Sequence, residues 1–244
     1  MKTACRSKID GDEIQKISIK FFEQLPKKGK PVKKNERQQE YTVLATILME
    51  DKSFADCELK VIALGTGTRC LGSKQLSDSG TIINDSHAEI ICKRAFQKYL
   101  YAELKKYFFK KESSILNFNV EKGIWCLKDE IKFHFFVSQA FCGDASMSFL
   151  KEKKVLLNEN VEEKESFNFF DEKEMENPFK RQKLLLNFSE NLIRGRNDIE
   201  KLGFCRTKPG RIDSDPTNSM SCTDKVLKWS TLGLNGSMLS NVYG

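Results

Sequence analysis

Hydrophobic and polar positions alternate along this chain in two recognisable periods. Residues 11–25, "GDEIQKISIKFFEQL", place Ile14, Ile17, Phe21 and Leu25 at helical spacing behind an acidic start, which predicts an amphipathic helix. "PKKGKPVKK" at 26–34 breaks that pattern with proline and glycine. "EYTVLATILME" (40–50) and "CELKVIALGTG" (57–67) then predict two strands, and "DKSFAD" between them has the length and polarity of a hairpin loop. From Ser86 to about Phe109 the pattern is helical, with Ala88, Ile91, Ala95 and Ala102 near one face and charged side chains opposite. "IKFHFFVSQA" (131–140) is rich in aromatic and β-branched residues and predicts a buried strand. "CGDASMSFL" follows it as the start of a helix, and "SMSCTDKVLKW" (219–229) puts serines at cap positions before another. Strand-then-helix units recur, so the expected fold class is α/β and layered.

Residues 151–183 break the alternation. They carry nine acids and eight bases with few aliphatics, the composition of an exposed, mobile insertion in a domain that otherwise occupies residues 1–244. The 244 residues suffice for a large core. No apolar run approaches the roughly 20 residues of a membrane helix, and the first twenty residues mix both charge signs and lack the apolar centre of a signal peptide. The expectation is an intracellular protein, in nucleus or cytoplasm, with no membrane partner. Eight cysteines suit reduced thiols, some of them metal ligands. Net charge is +7, and residues 1–40 contribute eleven Lys/Arg against six Asp/Glu. Such an excess favours a polyanionic partner, because neutralising phosphates releases counterions. A lysine run is, however, more often a solvated loop than a binding site.

Three short segments carry candidate chemistry: "SHAEI" (86–90), "FCGDAS" (141–146) and "MSCTDK" (220–225). Each puts a candidate zinc ligand at or near the first turn of a predicted helix, where unpaired N–H groups and partial positive charge favour a thiolate. His87, Cys142 and Cys222 would supply three ligands and leave a fourth position for water, the layout of a catalytic zinc. A closed structural zinc with four protein ligands stays open as the alternative, as does an ordinary His–Glu pair at a helix start. In zinc nucleobase deaminases an H-x-E glutamate moves the proton of the attacking water, and "HAE" offers Glu89 for that role. The close P-C-x-x-C pair of that group is absent here. Phe141 stands where proline is expected, and the second cysteine comes 80 residues after the first, 222 − 142.

That wide spacing resembles the adenosine deaminases that act on RNA. "GTGTRC" (65–70), "LSDSGTIINDSHAEI" (76–90), "CGDAS" (142–146), "RTKPGR" (206–211), "SMSCTDKVLKW" (219–229) and "LGLNGSMLS" (232–240) follow that family's order and span most of the chain. The resemblance implies a three-layer α/β/α, cytidine-deaminase-like domain. "RTKPGR" followed by "DPTNSMSC" looks like the family's tRNA-specific branch, which implies zinc-dependent conversion of adenosine to inosine in tRNA, at the position 3′ of the anticodon in tRNA-Ala, and no DNA partner. Alternatives are editing of double-stranded RNA and a catalytically impaired RNA-binding fragment.

The resemblance further implies an enclosed inositol hexakisphosphate, with Asn84, Lys93, Arg94, Lys225, Lys228 and Trp229 at the matching positions. Such a polyanion needs a cage of cations and N–H donors. Composition alone would place these lysines and Arg94 on the surface. Asp85, Lys208 and Lys225 match a lysine–aspartate relay to the zinc, and Thr68 and Arg69 match positions that touch the substrate nucleotide. Family members continue well past "GSMLS", so the chain is expected to be C-terminally truncated. Cys92 is expected to be a packing residue, like Cys5, Cys57, Cys70, Cys126 and Cys205, and His134 a packed core residue.

Overall fold

In the computed structural model, residues 9–28, 30–35, 38–53, 58–109, 111–147, 193–195, 201–208, 214–240 and 242 are described. The expected insertion at 151–183 lies outside them. The described elements, in chain order, begin with helix α1 (Gly11–Gln24), strands β1 (Lys33–Asn35) and β2 (Gln38–Gln39), and the long strands β3 (Leu44–Asp51) and β4 (Glu58–Thr66). Then come β5 (Thr68–Cys70), β6 (Asp85–His87), helix α2 (Ala88–Phe108), and β7 (Leu116–Asn119), β8 (Ile124–Leu127) and β9 (Ile131–Val137). The short strands β10 (Ile193–Arg194) and β11 (Arg206–Thr207) and helix α3 (Cys222–Leu232) complete the order. Two compact units result: one comprises Met1–Leu71, Leu76–Ala140 and Lys225–Gly244, the other Gly72–Gln75 and Phe141–Asp224.

The first unit is organised by β3. Its first six residues, "LATILM", are apolar at every position but Thr46, and residues 44–48 are all buried. A strand apolar on both faces must be covered on both. β3 accordingly lies in the middle of a three-stranded antiparallel sheet in the order β4–β3–β9. Ala45 and Ile47 point to one face, where they pack with Ala63, Ala88, Cys92, Phe96 and Leu100, so α2 covers that side. Phe96 meets Phe133 of β9 edge to face at 5.0 Å, a preferred aromatic geometry. Thr46 points to the other face and meets Ser18 of α1, hydroxyl to hydroxyl at 2.7 Å. Ser18 donates to the Ile14 carbonyl at 2.7 Å, which leaves the Thr46 hydroxyl as donor to Ser18. The result is helix, sheet, helix: the layered α/β arrangement expected from the sequence.

Two expectations about faces are corrected. The buried stripe of α2 runs through Ala88, Cys92, Phe96, Leu100 and Glu103, whereas Ala102 is exposed and Ile91 and Ala95 are half-buried. Apolar residues also occupy the other faces of this helix, Ile91, Ala95 and Ala102 among them, so apolar spacing marks its orientation poorly. In α1 the buried position is Ser18, and Phe21 is exposed. The helix pattern expected from Ser86 also starts later: Asp85–His87 form β6, and α2 begins at Ala88. The β7–β8 hairpin gave no clear signal in the sequence. His134, expected as a packed core residue, is half-buried on β9, and its Nε2 lies 2.8 Å from Glu50 Oε2 of β3.

One buried carboxylate ties the end of α2 to the following loop. Glu103 accepts hydrogen bonds from Lys106 Nζ at 2.6 Å, Ser113 Oγ at 2.9 Å and the Ser114 N–H at 3.2 Å. Burial pushes its carboxyl up, but the donors Lys106, Ser113 and Ser114 and the Lys106 charge outweigh that and hold it below its ordinary value. A lowered folded value stabilises the protein above the unfolded value of about 4.3 and loses that effect as pH falls through the folded one. Glu103→Gln should therefore cost about 1–3 kcal/mol at pH 7 and clearly less at pH 3, as read from urea midpoints. An equal cost at both pH values would refute the ionic role.

Candidate active site

In the first unit, the "GTGT" segment explains how His87 is placed. A Cβ on Gly65 would lie 2.3 Å from the Ala88 carbonyl oxygen and 2.5 Å from the Cys92 nitrogen. Only a residue without a side chain lets β4 approach the first turn of α2 so closely. Gly67 adopts φ +138, and a Cβ there would lie 2.1 Å from the Ser86 carbonyl oxygen. Its own carbonyl accepts from the Ala88 N–H at 3.0 Å, satisfying one of the unpaired donors at the helix start. The chain then runs as β5 antiparallel to β6, with Thr68 opposite His87, Arg69 opposite Ser86 and Cys70 opposite Asp85. Thr68 and Arg69, both exposed, thus flank the candidate ligand directly.

His87 is the N-cap residue of α2, and Glu89 sits in its first turn, where the helix dipole favours a carboxylate. Glu89 is only 3% exposed, and its Oε2 accepts no hydrogen bond from any described residue. A buried carboxylate oxygen without a donor costs stability and calls for a functional explanation. Asp85 Oδ1 accepts from the His87 N–H at 3.1 Å, and Asp85 Oδ2 accepts from Lys225 Nζ at 2.6 Å. Asp85 and Lys225, two of the three residues matched to a relay, are therefore in direct contact. Cys92, one turn beyond, is fully buried. Burial, with a smaller contribution from Glu89 against a backbone hydrogen bond, pushes its thiol up to about 12, so it packs as a neutral group, as expected.

The second unit carries the two thiols. Cys142 opens a turn that depends on Gly143, whose φ is +103; a Cβ there would lie 2.2 Å from Ser221 Oγ. Cys222 is the first residue of α3. Ser221 before it caps that helix: its Oγ accepts from the Asp224 N–H at 3.2 Å and donates to Asp224 Oδ2 at 2.6 Å. This is the side-chain cap predicted from the serines. Thr223 holds the Cys142 carbonyl twice, through its N–H and its Oγ1, both at 3.0 Å. The Cys222 N–H donates to Cys142 Sγ at 3.3 Å. Two cysteines 80 residues apart in sequence are thereby fixed side by side. Lys208, only 2% exposed, donates to Cys222 Sγ at 3.1 Å; a buried ammonium there stabilises negative charge on sulfur. Composition gave no sign that Lys208 is buried, and Arg206, Asp144 and Asp224 carried no assigned role.

The residues matched to the inositol phosphate all belong to the first unit. Lys93 Nζ lies 4.8 Å over the Trp229 ring. Burial, and then the charge of Lys228, lower the Lys93 ammonium pKa, so two cations share one region. Arg94 and Asn84 are exposed, and Lys228 is exposed on α3. No described helix is long and apolar enough to cross a membrane.

With this geometry in place, comparison with known proteins gives a consistent result. Residues 63–243 match the model of the adenosine-deaminase (editase) domain. The chain is 33% identical over 227 residues to a tRNA-specific adenosine deaminase 1 of Drosophila melanogaster, covering 93% of this chain and 50% of the relative. It is 30% identical over 232 residues to that of Schizosaccharomyces pombe, covering 94% and 53%. A double-stranded RNA-specific editase B2 of Rattus norvegicus is 32% identical over 203 residues, covering 82% of this chain and 25% of the relative. The chain thus spans about half the length of the fly and yeast relatives. A domain match over most of the sequence, together with the glycines and caps that set out the three short motifs, places this chain in the adenosine-deaminase (editase) domain family.

Proposed function

We propose that this chain carries a zinc-dependent site for hydrolytic deamination of adenosine to inosine in RNA, with tRNA as substrate and the adenosine 3′ of the anticodon in tRNA-Ala as target. The observation that carries the reading is a pair of sulfur ligands held side by side within the second unit, the Cys222 N–H donating to Cys142 Sγ at 3.3 Å; His87 is the third ligand of the proposal. One imidazole and two thiolates are a donor set for zinc with an open fourth position. The buried, unpartnered Glu89 oxygen fits a proton carrier beside such an ion. When bound, zinc supplies a nucleophile at neutral pH by acidifying water.

Glu89 takes the water proton at its free oxygen and delivers it to the adenine ring nitrogen as the C6–O bond forms; it then takes the proton of the new C6 hydroxyl and delivers it to the amine, which leaves as ammonia when the C6–N bond breaks. Thr68 and Arg69 flank His87 and hold the target nucleotide and its phosphate. The target base leaves its loop to reach the pocket, at little cost where bases are already unstacked. Lys208 steadies the Cys222 thiolate, and Asp85 with Lys225 completes the relay. Lys93, Arg94, Lys225, Lys228, Trp229 and Asn84 would hold inositol hexakisphosphate; the closeness of Lys93 to Lys228 is repulsive alone and favourable around a polyanion.

The test is inosine formation by the purified full-length protein on a tRNA-Ala anticodon stem-loop and on duplex RNA, with metal analysis of the same sample. Expected are one zinc per chain and turnover on the stem-loop at least tenfold above the duplex. Preference for the duplex would shift the assignment to the other branch of the family, which the 32% identity to a double-stranded RNA editase makes the second reading. Zinc without turnover on either substrate would overturn the enzymatic reading.

A further inference from the structure

We infer that Arg206 is a positioning residue that sets the spacing of Cys142 and Cys222. Its side chain is 0% exposed. Burying a guanidinium is costly, and apolar side chains of similar volume often fill such a site at lower cost, so its contacts need a purpose. Those among the described residues lie within the second unit. Nη1 donates to the Gly195 carbonyl at 3.3 Å, and Nη2 donates to the Lys201 carbonyl. Nε lies 3.9 Å from Asp144 Oδ1. The Arg206 main chain reaches the other way: its N–H donates to Asp224 Oδ2 at 3.1 Å, and its carbonyl accepts from the Ser221 N–H at 2.7 Å.

The two aspartates explain why these contacts matter. Asp144 is two residues after Cys142, and Asp224 is two residues after Cys222. One residue therefore engages both Cys-x-Asp segments, by charge at the first and by main-chain hydrogen bonds at the second. Asp144 Oδ2 also accepts from the Gly203 N–H at 3.0 Å, closing the loop that carries Arg206 onto the Cys142 turn. A guanidinium suits this task because its rigid fork serves several acceptors in one plane. Loss of the fork frees the Cys142 turn while leaving the Asp224 cap in place, so the two sulfurs lose their fixed separation. Partners that orient metal ligands in this way typically alter metal affinity 10–100-fold.

The role in metal binding rests on the zinc reading above, so the test has one arm that needs no metal. Full-length Arg206→Lys and Asp144→Asn variants are compared with the parent protein, at a temperature below the midpoint of thermal unfolding of each. In the first arm, zinc affinity is measured against a chromophoric chelator. In the second, metal-free protein is treated with diamide, which accepts two electrons and two protons as Cys142 and Cys222 join in a disulfide, and the cross-link is timed by mass spectrometry. Both variants are expected to bind zinc roughly 10–100-fold more weakly and to cross-link at least fivefold more slowly, with KM for the RNA within twofold of the parent. Cross-linking at an unchanged or higher rate overturns the proposal, whatever the thermal midpoint does. Should the parent protein bind no zinc, the zinc reading fails by itself, and the cross-linking rate alone decides the role of Arg206.

Discussion

Glu89→Gln is expected to abolish inosine formation while leaving zinc content at its parental level. The carboxylate is 3% exposed in the first turn of α2, and its Oε2 takes no donor from the described residues. An amide of the same volume keeps the packing and removes the basicity. General acid–base catalysis by one positioned group contributes about 10²–10⁴ in rate. In the proposed mechanism the same group serves both the attacking water and the leaving amine, so the loss should lie at the upper end. Single-turnover kinetics on the anticodon stem-loop, with metal analysis of the same preparation, give the answer. Turnover within tenfold of the parent would remove Glu89 from the mechanism. Loss of zinc along with activity would make it a ligand or a support for one.

Cys222→Ser and Cys142→Ser should each lower zinc to less than about one-tenth per chain, since both remove a soft ligand from the proposed set of three. The two variants should differ in stability. Cys222 is fully buried and receives the Lys208 ammonium at 3.1 Å. A neutral hydroxyl is a poorer partner for that buried cation than a thiolate, and weakening a buried pair on one side can cost about 3–5 kcal/mol. Cys142 is half-buried, and its sulfur accepts a main-chain N–H from Cys222, a contact that a serine oxygen can replace. Thermal melts should place Cys222→Ser well below Cys142→Ser. Full zinc retention in either variant would overturn the ligand set, and equal melts would overturn the role given to Lys208.

Much of the scaffold was legible because its determinants are local. The i, i+3, i+4 spacing of 11–25 and the apolar runs at 40–50 and 57–67 depend on neighbours a few residues away. α1, β3 and β4 follow them closely. The serines before Cys222 read as a cap because capping is decided within three residues, and Ser221 caps α3 through Asp224. The histidine and cysteine motifs were likewise visible as short words. The faces of the helices were not, because Ser18, Cys92 and Glu103 are buried by what lies opposite them, not by their own hydropathy.

The sequence by itself determined the types of the long elements, the positions of the candidate ligands near helix starts and the excess of positive charge. It left eight cysteines chemically alike. Only tertiary structure separated Cys92, pushed up to about 12 by burial against the sheet, from Cys222, which meets Cys142 and the Lys208 ammonium. It alone put Arg206 and Lys208 inside, where hydropathy would have left them in water. The physical reason is one of range: periodicity and capping act over a few residues. Thiolate stabilisation, burial of charge and the meeting of residues 142 and 222 require contacts that the chain makes only once it has closed on itself.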